Sequence, residues 1–290
     1  MRVVFHINAC AAAGIPAVID PGRRALLARR ERELGIQFPA AVVEWYAIAG
    51  AVEHAAEHSD HRIIQLEQLG LAADGCDLAV GRLLLAVEDQ QCCDWVVPLP
   101  TTGLASYNIP LPGMASSADH QTLWARAVDP PVGLTESGEP AATWTLAAPR
   151  FSTYVHAQAW DSAGFPPPHT TAVYDVPFRD QDLAVLREWF LAGPRTYGWA
   201  GNFGGPGLTI HRFQRPGQRV WVATHPEQTE WWLSADSTAS LAALTELLAN
   251  ANQANQELGH ELRKGWRWTG SDWEQAPTAP GKAAANADSQ

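Results

Sequence analysis

The segment Val52–His61, VEHAAEHSDH, places three histidines and two glutamates within ten residues. Inside it, His54-Ala55-Ala56-Glu57-His58 fits H-x-x-E-H, the inverted zinc-peptidase signature. On a helix, His54 and His58 share a face, and Glu57 is placed to act as general base on a zinc-bound water. His61 lies one turn further on as another imidazole. Three fixed positions in five also recur by chance in a chain with ten histidines. Gly50 stands directly before the motif as a helix terminator, and HSDH continues a helix poorly. The segment is therefore expected to be a solvated loop, with no metal, no cofactor and no catalytic residue. A zinc-dependent hydrolase acting through His54, Glu57 and His58 is the competing reading from an enzyme class.

A second set of residues suits binding rather than catalysis. Between two apolar runs, EDQQCCD (Glu88–Asp94) carries Glu88, Asp89 and Asp94. Three carboxylates on a hairpin turn could meet a basic protein through fast, salt-sensitive association, although charges decorate many such turns at little energetic effect. In Trp231-Trp232, strand alternation sends the two indoles to opposite faces, so that one of them is free to be exposed and Trp232 becomes a candidate contact, unless an overlying helix covers it. Glu88, Asp89, Asp94 and Trp232 are thus the candidate partner-binding residues.

Other chemistry is absent by pattern. Cys10, Cys76, Cys92 and Cys93 form no C-x-x-C pair and read as free thiols of a reducing compartment. GNFGGPG (Gly201–Gly207) precedes a strand rather than a helix, so it reads as part of a glycine-rich loop and not a phosphate cradle. No G-x-S-x-G elbow occurs. A formal charge of −11 over 290 residues disfavours nucleic acid and anionic membrane and favours a basic partner. No apolar run approaches the roughly 20 residues that a membrane-crossing helix needs. The opening MRVVFHINACAAAGIPAV is interrupted by His6 and Asn8 and led by one basic residue, so a cytoplasmic protein is expected.

These residues must be positioned by elements that the sequence punctuates clearly. RRALLARREREL (Arg23–Leu34) is a helix closed by Gly35; Pro39 opens a second, whose buried side is Val42, Val43, Trp45, Tyr46 and Ile48, and Gly50 ends it. Arg62–Leu69 reads as a short strand or the start of a strand-to-helix connection. Gly81–Asp89 and Cys93–Pro100 form a hairpin, and short strands follow until a helix begins near Ser152. After FPPPH (Phe165–His169), a helix over Gln181–Leu191 and the loop Gly198–Gly207 precede a meander of Leu208–Phe213, Arg219–His225 and Thr229–Ala235. A helix over Ala239–Leu258 comes next, and the tail 276–290 is disordered by composition. Helices and strands in blocks argue α+β.

In that order the residues resemble the SUKH superfamily. The carriers are RERELGIQFPAAVVEWYAIAG, IIQLEQL, LLLAVEDQQCCDWVVPL and VDPPVGLTESGEPAATWTLAAPRFSTYVHAQAW, spanning Gly22–Phe165, about half of the chain. The resemblance implies a SUKH-like α+β fold: an N-terminal helical hairpin packed on a largely antiparallel sheet, here with a C-terminal α+β extension. It divides the chain into a lead segment 1–21, a SUKH-like domain 22–165, an extension or second small domain 166–275 and the tail. It also implies a protein that is not an enzyme. Bacterial members are immunity proteins that neutralise toxin domains, and fungal ones are regulators of cell-wall synthesis. The expected partner is a basic toxin domain, with a regulatory scaffold for a signalling partner as the alternative.

Overall fold

The computed structural model describes residues 2–59, 61–71, 81–99, 128–136, 145–163, 169–200, 203–251, 258, 260–261, 266–268 and 273–275. The chain is α+β and divides into two compact units, Met1–Gly164 with Pro194–Pro206, and Phe165–Gly193 with Gly207–Gln290. Two features depart from the expected boundaries. The lead segment is built into the first unit, and Pro194–Pro206 returns to that unit from within the expected extension.

In the first unit, helix α1 (Ile7–Ala13) is followed by α2 (Pro21–Leu34) and α3 (Ala40–Ala47). Helix α2 starts two residues before the expected Arg23, because the Asp20 side chain caps it. That carboxylate accepts from the amides of Gly22 at 2.7 Å and Arg23 at 3.2 Å, with Pro21 in the first turn. Gly35 closes α2 at φ 66°, a left-handed conformation that glycine adopts without a side-chain clash. Pro39 caps α3 rather than entering it. Helix α3 ends before Gly50, because Ile48 turns extended and bridges Ile19. Helix α4 (Ala51–Glu57) then follows Gly50.

The strands β1 (His61–Ile63), β2 (Arg82–Glu88), β3 (Cys93–Pro98), β4 (Val132–Glu136) and β5 (Thr145–Ala148) form a sheet in sequence order, each pair antiparallel. Helix α5 (Phe151–Ser162) comes next, anchored by Asp129: one carboxylate oxygen accepts from the Ser152 amide at 2.9 Å and the other from its hydroxyl at 2.5 Å. One apolar core joins these elements, with Leu27, Val42, Trp45, Tyr46, Leu83, Trp95 and Phe151 at its centre. Each such side chain removed from water stabilises the fold by about 2–3 kcal/mol.

Strand β6 (His169–Tyr174), helix α6 (Asp180–Trp189) and the two-residue strand β7 (Leu191–Ala192) belong to the second unit. Strands β8 (Thr196–Ala200) and β9 (Phe203–Arg215) pair with each other, so the expected glycine-rich loop is largely a β-ladder. Gly198 sits within it at φ 85°, a backbone conformation that side-chain-bearing residues rarely adopt. Strands β10 (Gln218–His225) and β11 (Gln228–Ala235), helix α7 (Thr238–Ala251) and strands β12 (Trp266–Trp268) and β13 (Trp273–Gln275) complete the unit. The sheet runs β13-β12-β6-β11-β10-β9-β7. Helix α7 covers β11 and β6, burying Leu241, Leu244 and Leu248 against Trp231, Leu233 and Val220. The predicted tail, 276–290, lies outside the described residues.

Candidate functional site

The histidine segment is helical through Glu57, which corrects the expected solvated loop there, and His58 caps the helix, as a poor continuation through His58 and Ser59 implied. Gly50, at φ 76°, caps α4 from its N-terminal side instead of stopping the chain. Ala51 and Val52 then turn into the core, and Ala55 and Ala56 sustain the turn. His54 and His58 share a face, with ring centroids 4.2 Å apart and planes 29° from parallel. The Nδ1–H of His58 donates to the His54 carbonyl at 3.0 Å, which fixes its tautomer and closes the helix. Burial holds His54 below the usual imidazole value; the nearby His58 adds to this and Glu57 opposes it. Glu57 is exposed, and His61 stacks on Trp95 of β3 at 4.3 Å. Among the described residues, no group of three or more His, Cys, Asp and Glu is disposed to hold a metal ion. Two imidazoles fall short of the three protein ligands that a catalytic zinc takes.

Behind these rings the first unit has a pocket. It is walled by Trp45 and Tyr46 of α3, His54 and His58 of α4, and Phe151 and Tyr154 of α5. The Tyr46 hydroxyl donates to the Ile64 carbonyl at 2.9 Å, whereas the Tyr154 hydroxyl and His54 Nε2 are buried without a hydrogen-bond partner. Burial pushes both tyrosine hydroxyls well above their usual range, so they stay protonated.

The acidic turn separates its three candidates. Glu88 is buried, and its Oε2 accepts from the Gln90 amide at 2.7 Å and the Cys92 thiol at 3.2 Å. Burial works to raise its carboxyl, but these hydrogen bonds, with His61 nearby, carry it below the usual value. Glu88 therefore organises the turn instead of facing a partner, which corrects its expected role. Asp94 is half-buried within β3, opposite Val87 and Thr135, and Asp89 alone is exposed. The turn holds Gln91 at φ 60°, which the Glu88 tie supports.

The tandem tryptophans divide as alternation requires. Trp231 is fully buried and donates from its ring N–H to the Val176 carbonyl at 2.8 Å. Trp232 is half-buried on the opposite face, edge-on to Trp221 with centroids 6.1 Å apart, and its ring N–H donates to Glu230 at 3.2 Å.

Sequence reasoning missed the pocket. The signal was present in α5, where Phe151, Tyr154, Val155 and Gln158 recur at helical spacing, but nothing local tells a pocket wall from a packed face. Comparison with known proteins adds no family: no protein-family model, curated protein or solved structure matches this chain.

Proposed function

We propose that the chain is a SUKH-like immunity protein that binds a basic toxin domain in the cytoplasm and covers its active surface. It works without catalysis, cofactor, nucleic acid or membrane. The observation that carries this reading is the succession in the first unit. A helix pair punctuated by Gly35 and Pro39 leads to five strands in sequence order and then to a helix anchored at Ser152. The charge of −11 and the exposed Asp89 at the β2–β3 turn suit electrostatic steering of a basic partner. No helix among the described residues is long and apolar enough to cross a membrane.

Co-expression with a toxin domain encoded next to this gene tests the proposal. Restored growth and a stable complex, formed more slowly as salt rises, are expected. Unrelieved toxicity together with the absence of any complex refutes it. Metal content of the purified chain tests the hydrolase reading separately: stoichiometric zinc that disappears in His58→Ala would favour it.

A further inference from the structure

Four side chains gather on the sheet of the second unit, on the face opposite α7. Trp221 of β10 stands directly across from Trp232 of β11, and Tyr174 of β6 directly across from Glu230 of β11. Their chain neighbours Val173, Val220, Val222 and Trp231 lie in the core under α7, so strand alternation sends these four the other way. Contacts tie them together. The indoles are 73° from parallel with centroids 6.1 Å apart, and the Trp232 ring N–H donates to Glu230 Oε2 at 3.2 Å. Burial and the Glu230 charge raise the Tyr174 hydroxyl, which sets the phenol beside the carboxylate. Tyr174 is 41% exposed, and the two indoles and Glu230 are half-buried, so each keeps surface open to solvent.

Glu230 lacks a counterion. Among the described residues no Lys, Arg or His pairs with it. Burial raises its carboxyl, the Trp232 hydrogen bond opposes this, and the exposed Asp175 raises it further. A half-buried carboxylate beside a second negative charge is relieved by a cation. Aromatic rings favour the same charge over their faces. Both oxygens of Glu230 already accept an N–H, Oε2 from Trp232 and Oε1 from the Gln228 side chain at 3.5 Å. A cation clothed in methyl groups asks for no further acceptor, whereas an ammonium or a guanidinium does. Asp175 and Glu230 together repel a ligand that also bears an acid group. Ala172, Ala223 and Ser234, the neighbours on the same face, are buried, so the accessible ground suits a small molecule rather than a protein surface.

We propose that Trp221, Trp232, Tyr174 and Glu230 bind a small quaternary ammonium compound that carries no acid group, of the choline class. Its methyl groups rest on the aromatic rings, and Glu230 balances its charge, with Asp175 adding to the field. The headgroup of a phosphatidylcholine lipid has the same cation but brings a phosphate, which the two carboxylates disfavour. This site is independent of the toxin-binding reading and stands or falls by itself.

Chemical-shift titration of the full chain at constant ionic strength, read at the indole N–H groups of Trp221 and Trp232, tests it. Choline should shift these signals saturably. Its uncharged analogue, with a tert-butyl group in place of trimethylammonium, should bind about tenfold more weakly, and so should glycine betaine, which adds a carboxylate. Glu230→Gln keeps the size of the side chain, removes its charge and should weaken choline about tenfold. No saturation by choline overturns the proposal, as does the tert-butyl analogue or glycine betaine binding as well as choline. So does choline binding unchanged in Glu230→Gln, or tighter binding to phosphatidylcholine vesicles than to choline, which would make a lipid surface the ligand. The comparison of choline with its uncharged analogue on the unaltered chain decides the matter even if the variant fails to fold.

Discussion

The backbone amide of His6 donates to Oε1 of Glu44 across 3.0 Å, inside the core of the first unit. The same carboxylate accepts from Phe5 at 2.7 Å through Oε1 and from Val4 at 2.8 Å through Oε2. A side chain only 1% exposed thus satisfies three consecutive amides of the lead segment. Glu44→Ala strands those donors and should cost about 3 kcal/mol or more. Hydrogen exchange at Val4, Phe5 and His6 reads this out, and unchanged protection at these amides would contradict it.

His6 ties stability to pH. Burial lowers its pKa from 6.5 to about 4, despite the hydrogen bond from Nε2–H to the Ala41 carbonyl. Between those values the unfolded chain binds the extra proton. The contribution of the neutral ring is therefore complete above pH 6.5 and is lost as pH falls toward 4, by about 3 kcal/mol. His6→Phe keeps the contacts with Trp45 and Phe151 but removes the titrating group. Its denaturation midpoint, set against that of the unaltered chain, should fall less steeply over this window. Parallel curves would show that His6 does not titrate as described.

Trp231 and Trp232 should answer substitution very differently despite their adjacency. Trp231→Phe opens a cavity and strands the Val176 carbonyl, for about 2–3 kcal/mol. Trp232→Phe removes only a half-buried contact and should cost under about 1 kcal/mol. Urea unfolding of both variants measures the contrast; equal losses would place both rings in one environment.

The Glu88–Cys92 contact predicts a sluggish thiol on an exposed residue. The hydrogen bond to Glu88, burial and the Glu88 charge together raise the Cys92 pKa, which lowers its thiolate fraction at neutral pH. Alkylation of Cys92 by iodoacetamide, followed by peptide mass spectrometry, should be slower than that of glutathione and should accelerate in Glu88→Ala. Cys93, buried and pushed up to about 12, should label more slowly than Cys92. Rapid labelling of Cys92 in the unaltered chain would contradict the tie.

How far the sequence could be read depended on whether its signals were local. Gly35, the hairpin around Glu88–Asp94 and the meander of β9, β10 and β11 were legible because turn residues and alternation act within a few positions. Helix α4 was misread because a glycine before a helix and one after it look the same in sequence; Gly35 after α2 and Gly50 before α4 are both left-handed, and only the helix that continues from Ala51 tells them apart. The carboxylate of Glu88 was read as a partner face, and that of Glu44 attracted no reading. Each is buried by groups elsewhere in the chain, which no window of neighbours displays. The walls of the pocket come from positions 45 to 162 and were illegible for the same reason.

Strand β8 and the start of β9 belong to the first unit, although the chain has by then already contributed β6, α6 and β7 to the second. During synthesis the first unit therefore cannot finish when Gly164 leaves the ribosome. It must wait for Pro206 to emerge, by which time part of the second unit is already outside the exit tunnel. A nascent chain stalled between these points would carry an unfinished first unit, and it is at that stage of translation that the protein would most need a chaperone.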